Sequence, residues 1–131
     1  MKNSKVLKAI LFVSGLLLLA IGMATLLTPV EFSARNGIDL HGDISLLNDV
    51  RSAGAFLAGS GFVILLGAFI DKLAYTSTIV SIVAYLSYAS GRIMSLVIDG
   101  MPAEGLVKAT VVEIVIGLVG IFAFIKYQEN E

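Results

Sequence analysis

Four long apolar runs, separated by short polar segments, set the pattern of the chain. They cover residues 8–27, 49–70, 73–98 and 104–127. Each is about long enough for an α-helix to cross a hydrocarbon core of about 30 Å, whereas barrel strands would alternate polar and apolar residues in segments of about 10. The pattern predicts an all-α fold, an integral membrane bundle of four transmembrane helices that forms one domain over residues 1–131.

The composition agrees with a membrane protein and removes several classes of function. Of the 131 residues, 57% are hydrophobic, and the mean hydropathy is +0.94, whereas a soluble domain needs far more polar surface. The formal charge of −1 gives no basic field for nucleic acid. Without cysteine the chain forms no disulfides and no thiolate metal sites. We therefore expect no cofactor, no metal and no nucleic-acid partner.

Basic residues beside the apolar runs predict the orientation. Two lysines precede the first run and one begins it, one follows the second and one lies next to the end of the fourth: Lys2, Lys5, Lys8, Lys72 and Lys126. Because lysine and arginine concentrate on the cytoplasmic side, both termini are predicted to be cytoplasmic and residues 28–48 extracytoplasmic. The first run also resembles a signal peptide, but its apolar stretch is longer than usual, so we interpret it as a retained helix. Asn48 or Asp49 is predicted to cap the second helix.

A stripe of polar residues runs along one face of the third run. Its members recur every three or four residues: Ser81, Tyr85, Tyr88, Arg92, Ser95 and Asp99. Polar groups are costly in lipid, so this face should meet protein or water. The same spacing recurs in two other runs, at Arg51, Gly54, Ala58 and Gly61 and at Thr110, Glu113, Gly117 and Gly120. We expect both faces to receive the stripe, because small residues let membrane helices approach closely. Ser87 and Gly91 form a further small pair on another face.

The arginine inside the third run needs an opposite charge nearby. Arg92 lies about 10 Å along its helix from Asp99, and Glu113 lies about 13 Å from Glu104, so the two are at similar depth. An arginine at the centre of a span costs about 3 kcal/mol on insertion scales. We therefore predict that Arg92 pairs with Glu113.

Charged and polar residues at the start of the second run can extend this pair into a cluster. Asn48, Asp49 and Arg51 enter at the same end of the bundle and can join Asp99. Three interpretations stay open. The pair can simply fix helix register. The cluster can form a pocket for an anionic or amphipathic ligand. A proton or ion pathway is the third, although the inner half of the stripe offers only hydroxyl groups.

Three segments resemble a known family. They are NDVRSAGAFLAGSGFVILLG (48–67), GRIMSLVIDGMP (91–102) and VEIVIGLVGIF (112–122). These segments are similar to the family named domain of unknown function 4345, which comprises small bacterial membrane proteins with four predicted spans. The resemblance implies a multi-pass protein of the bacterial cytoplasmic membrane and no particular activity. It points to Asn48, Asp49, Arg51, Gly91, Arg92, Ser95, Asp99, Gly100, Pro102 and Glu113.

These observations favour a binding or accessory protein over an enzyme. The candidate ligand-binding residues are Asn48, Asp49, Arg51, Tyr88, Arg92, Ser95, Asp99 and Glu113. Expected partners are membrane lipids and a second copy or another membrane protein. Two alternatives remain: an enzyme in which Glu113 or Asp99 is the acid–base group and Arg92 the electrostatic stabiliser, and a transporter or channel subunit. We interpret His41, between two aspartates, as part of a solvated turn rather than a metal ligand.

Overall fold

Six helical segments make up the computed structural model, which describes residues 1–129; no strand occurs within that range. The helices are α1 Lys5–Leu27, a short α2 Pro29–Ala34, α3 Ile44–Phe69, α4 Ala74–Asp99 and α5 Glu104–Tyr127, with a 3₁₀ turn at Asp71–Leu73 between α3 and α4. The four long helices are long and apolar enough to cross a membrane. This confirms the all-α fold and the four spans.

The start of α3 differs from the prediction. The carboxylate of Asp43 accepts a hydrogen bond of 3.0 Å from the backbone N–H of Leu46, and the helix begins at Ile44. Placing the cap at Asn48 or Asp49 was wrong, because a good capping side chain already stands one turn earlier and the residues between are compatible with a helix.

The backbones of α1 and α3 are in close contact along a row of glycines. A Cβ atom added to Gly15 would lie 2.5 Å from the backbone nitrogen of Leu65. A Cβ atom on Gly54 would lie 2.6 Å from the backbone nitrogen of Leu26. No side chain fits into these gaps, so glycine is what allows the two helices to touch.

The same row corrects a prediction about the second span. Gly54, Ala58 and Gly61 were expected to receive the polar stripe of the third span, but they face α1 instead. The reason is that α1 carries its own small residues, Gly15 and Gly22, at positions that complement them.

A second close pair is formed by α4 and α5. Gly117 and Gly120 of α5 pack against the side chains of Leu86 and Ile82 on α4. The face of the fourth span that was predicted to receive the third span therefore does contact it.

The start of α1 and the end of α5 lie beside the 3₁₀ turn at one end of the bundle, which we call the hairpin end. The ammonium group of Lys8 lies 3.5 Å from the carboxylate of Asp71. The backbone N–H of Lys2 donates a 2.7 Å hydrogen bond to the carbonyl oxygen of Tyr127. The start of α1, the 3₁₀ turn and the end of α5 thus lie together at this end, while residues 28–43 and 100–103 form the opposite, loop end.

The two helix pairs are joined mainly in the half near the hairpin end. The hydroxyl of Ser77 on α4 donates a 2.7 Å hydrogen bond to the carbonyl oxygen of Val63 on α3. The hydroxyl of Tyr85 donates a 2.5 Å hydrogen bond to the carbonyl oxygen of Ser14 on α1. Towards the loop end, residues 93–99 of α4 are all exposed. The pairs therefore diverge as α4 approaches the loops.

Candidate functional site

Arg92 and Glu113 form the ion pair predicted from the sequence. The Nε atom of Arg92 donates hydrogen bonds of 3.0 Å to both carboxylate oxygens of Glu113. The side chains are 29% and 14% exposed, respectively, and they connect α4 to α5. Because opposite charges attract strongly where water is scarce, the carboxylate allows α4 to carry an arginine within its span.

Glu113 uses only one of the three guanidinium nitrogens. Among residues 1–129, no group accepts a hydrogen bond from either terminal nitrogen of Arg92. The guanidinium carbon lies 5.5 Å from the ring centroid of Tyr88, a cation–π contact that helps to orient it. The N–H groups on the terminal nitrogens therefore remain available to an acceptor from outside the chain.

A groove of about 1260 Å³ runs between α3 and α4, and this arginine lies on its wall, one helical turn before Ser95 at the end nearer the loops. Its walls are mostly small or apolar residues, and Arg92 is the only charged one among the described residues that line it. A Cβ atom on Gly59 or on Gly91 would meet no other atom within 4 Å, so the space in front of both glycines is open. From Val80 to Arg92 the wall formed by α4 is about 18 Å long.

The polar stripe of α4 divides into a buried half and an exposed half. Ser81 and Tyr85 are each 2% exposed, which agrees with a stripe that faces protein. Tyr88 is 37% exposed and lines the groove. Ser95 also lines it and donates a 2.8 Å hydrogen bond to the exposed carboxylate of Asp99. The prediction was that the stripe meets protein or water; at the loop end it is not covered by the neighbouring helices, because α3 diverges from α4 there.

The predicted extension of the pair into a larger cluster is not formed. The Nη1 atom of Arg51 donates a 2.6 Å hydrogen bond to the carbonyl oxygen of Leu26, in the last turn of α1. Carbonyl groups at a helix C-terminus lack intrahelical partners and attract cations, so Arg51 points there rather than towards Asp99. Asn48 and Asp49 are exposed on the surface of α3.

The loop that contains the histidine forms a local turn. The backbone N–H of His41 donates a 3.0 Å hydrogen bond to the carboxylate of Asp39, and its ring Nδ1 lies 2.8 Å from the same oxygen. These hydrogen bonds, the backbone one first, hold the pKa of Asp39 below its ordinary value of 3.8. Over residues 1–129, no three histidine or acidic side chains are grouped closely enough to hold a metal ion.

Sequence reasoning found the ion pair but not the groove. The sequence feature that corresponds to the groove is the small pair Ser87 and Gly91, since both residues line the groove together with Gly59. Small residues in a membrane span usually mark a helix contact, as they do between α1 and α3. Only the course of the backbones shows that these particular positions face an open space.

Comparison with known proteins identifies a family. The family described as "Domain of unknown function (DUF4345)" matches residues 6–124. No curated protein and no solved structure matches the chain.

Proposed function

The chain belongs to the DUF4345 family, whose description assigns no activity, and we propose that it is a membrane-embedded binding protein whose α3–α4 groove holds a membrane lipid. One observation carries this proposal: an apolar groove that is open along its side has, near its loop end, an arginine with hydrogen-bond donors that residues 1–129 do not use. The tail of the lipid lies along the groove, and oxygen atoms of its head group accept hydrogen bonds from Arg92.

The dimensions of the groove support a lipid tail. A tail reaches across about 15 Å, which is half of a hydrocarbon core of about 30 Å. The α4 wall between Val80 and Arg92 is about 18 Å long, which is sufficient. Val63, Val80 and Val83 give the walls an apolar surface, so a hydrocarbon chain loses no favourable solvation when it leaves the bilayer.

The position of Arg92 supports a polar head group near the loop end. The residue lies about 10 Å along α4 from Asp99, the last residue of the helix. Lipid head groups carry phosphate or ester oxygens, and guanidinium binds such oxygens through two parallel N–H groups. Tyr88 and Ser95 place further hydroxyl groups on the wall beside the arginine.

The proposed setting is the cytoplasmic membrane of a bacterium, with the loop end on the outer side. Support comes from the lysines near the hairpin end, since positive charge concentrates on the cytoplasmic side of multi-pass proteins. In this orientation the Arg92 end of the groove opens into the outer leaflet.

Native mass spectrometry of the protein, extracted gently from its own membrane, tests the proposal. We expect a bound lipid mass on the wild type and on Ser90→Leu, and its loss from Gly91→Leu. Gly91 lines the groove and has open space for a side chain, so leucine there occupies the site without displacing the backbone. Ser90 is its exposed neighbour on α4 and does not line the groove, so the same leucine there is a matched control.

Two results would contradict the proposal. One is a lipid mass that Gly91→Leu retains as well as Ser90→Leu does. The other is a second protein chain that Gly91→Leu displaces, which would assign the groove to a partner helix and the protein to an accessory role.

A further inference from the structure

The charges around the groove restrict the head group that fits there. Arg92 is the only charged residue among the described groove walls, and Glu113 already compensates it at 3.0 Å. The next charged residue along α4 is Asp99, which is negative and exposed. Arg92 and Glu113 together are therefore formally neutral, although the groove contains a cation, and the exposed Asp99 lies about 10 Å further along α4, where water screens it.

We infer that the groove selects a lipid whose head group has no net charge, in the simplest case a zwitterionic phospholipid, over an anionic one. This inference rests on the proposed function and specifies its ligand. An anionic head group on Arg92 would leave a net negative charge beside Glu113, where little water screens the repulsion. A zwitterionic head group presents the same phosphate oxygens to the arginine but carries its own compensating cation.

Hydrogen bonding does not require an anionic head group at this site. The Nε atom of Arg92 is occupied by Glu113, and the N–H groups on its terminal nitrogens are unused by residues 1–129. A phosphodiester in a zwitterion has the two oxygens that these N–H groups need. Arginine therefore acts here as a donor of hydrogen bonds more than as a source of net charge.

Other charges near the loop end do not reverse this balance. Lys108 is 3.2 Å from Glu104, four residues earlier on α5, so this pair is neutral by itself. Arg51 donates to the carbonyl oxygen of Leu26 on the α1 side of α3. Glu113 is therefore the residue that sets the charge selectivity, as a positioning and screening group that need not touch the ligand.

The experiment compares two lipids in one sample. The protein is placed in nanodiscs that contain equal amounts of phosphatidylethanolamine and phosphatidylglycerol with identical acyl chains. The protein is then released from the nanodiscs, and native mass spectrometry identifies the lipids that stay bound to it. For the wild type we expect the zwitterionic lipid to be enriched by at least about fivefold, the lower range of ordinary coupling between sites. For Glu113→Gln we expect the anionic lipid to be enriched instead, since Arg92 then has no counter-charge.

Glu104→Gln is the matched control, because it removes a carboxylate from the same helix at an exposed position. It should keep the preference of the wild type. If Glu113→Gln fails to fold, the variant Arg92→Gln/Glu113→Gln replaces it. Removal of both charges should abolish discrimination between the two lipids, and a preference that persists in this double variant would overturn the inference.

Failure of the inference differs from failure of the proposed function. Enrichment of phosphatidylglycerol on the wild type, lost from Gly91→Leu, overturns the charge selectivity and leaves a lipid-binding groove. If phosphatidylethanolamine is enriched to the same extent on the wild type and on Glu113→Gln, the charge selectivity is also overturned. A wild type that retains neither lipid overturns both.

Discussion

At the scale of single residues, different nitrogen atoms of Arg92 serve its structural role and its proposed role in binding. Nε binds Glu113 and joins α4 to α5, while the terminal nitrogens make no hydrogen bond to residues 1–129. Each role predicts a different response to substitution. Loss of the ion pair should change the stability of the fold, and loss of the terminal donors should change what the groove binds.

The ion pair predicts strong coupling between its two members. Arg92→Met should lower the free energy of unfolding by about 3 kcal/mol, because it leaves the carboxylate of Glu113 in the membrane without its cation. Glu113→Met should do the same to the arginine. Unfolding in mixed micelles, or steric trapping in bilayers, measures both effects. The double variant should lose less than either single variant, and additive losses would show that the pair is not coupled.

A buried tyrosine gives a second prediction at this scale. Tyr85→Phe should lower the free energy of unfolding by about 1 kcal/mol, because it removes the hydrogen bond from α4 to the carbonyl oxygen of Ser14. Tyr75→Phe is the control, since Tyr75 is 49% exposed. The same unfolding assay compares the two, and equal losses would argue against a stabilising role for the bond to α1.

At the scale of helices, glycine has two opposite uses on α3. Gly61 allows α1 to approach, because a Cβ atom there would collide with the backbone of Leu19. Gly59, two residues earlier, faces the open groove. On one surface of α3, glycine is needed so that another helix can approach. On the other surface, glycine lies beside an open space and no contact requires it.

This contrast predicts opposite effects for the same substitution. Gly61→Ala should destabilise the protein by more than 1 kcal/mol, because α1 must move outwards. Gly59→Ala should be neutral or stabilising by up to about 1 kcal/mol, as expected from helix propensity alone. Thermal unfolding of the two variants, followed by circular dichroism, makes the comparison. A loss in Gly59→Ala as large as that in Gly61→Ala would show that the open space is filled by another part of the protein.

The four spans and the Arg92–Glu113 pair were predictable from the sequence for a physical reason. Span length follows from bilayer thickness, and a charge in a span needs a partner at the same depth. The partner of the glycine face on α3 was not predictable. Both α1 and α4 offer small residues, and spacing alone does not say which backbone comes near. Arg51 was misassigned for a related reason, since its acceptor is a main-chain carbonyl group that no residue type identifies.

At the scale of the whole molecule, the two ends of the bundle differ. The hairpin end is held by the Lys8–Asp71 ion pair and by the bond between the main chains of Lys2 and Tyr127. Near the loop end α3 and α4 diverge, and the groove lies between these two helices. A ligand therefore has access from the side and from the loop end.

The orientation of these ends in the membrane can be measured by labelling. The chain has no cysteine, so single cysteines introduced at His41 and at Gln128 report on the two ends. We expect a membrane-impermeant maleimide to label His41→Cys in intact cells and Gln128→Cys only after permeabilisation, because the lysines near the hairpin end favour the cytoplasm. The reverse pattern would place the groove's arginine in the inner leaflet.

The arrangement in two close pairs also has a consequence for the order of events during synthesis. The α1–α3 pair is complete in sequence by Phe69, before any part of α4 has been made. The groove wall formed by α3 is therefore exposed to lipid molecules in the bilayer while the ribosome is still synthesising α4, which forms the other wall. The lipid that we propose as the ligand would therefore not need to enter a finished groove, because it can lie against α3 before α4 is inserted beside it.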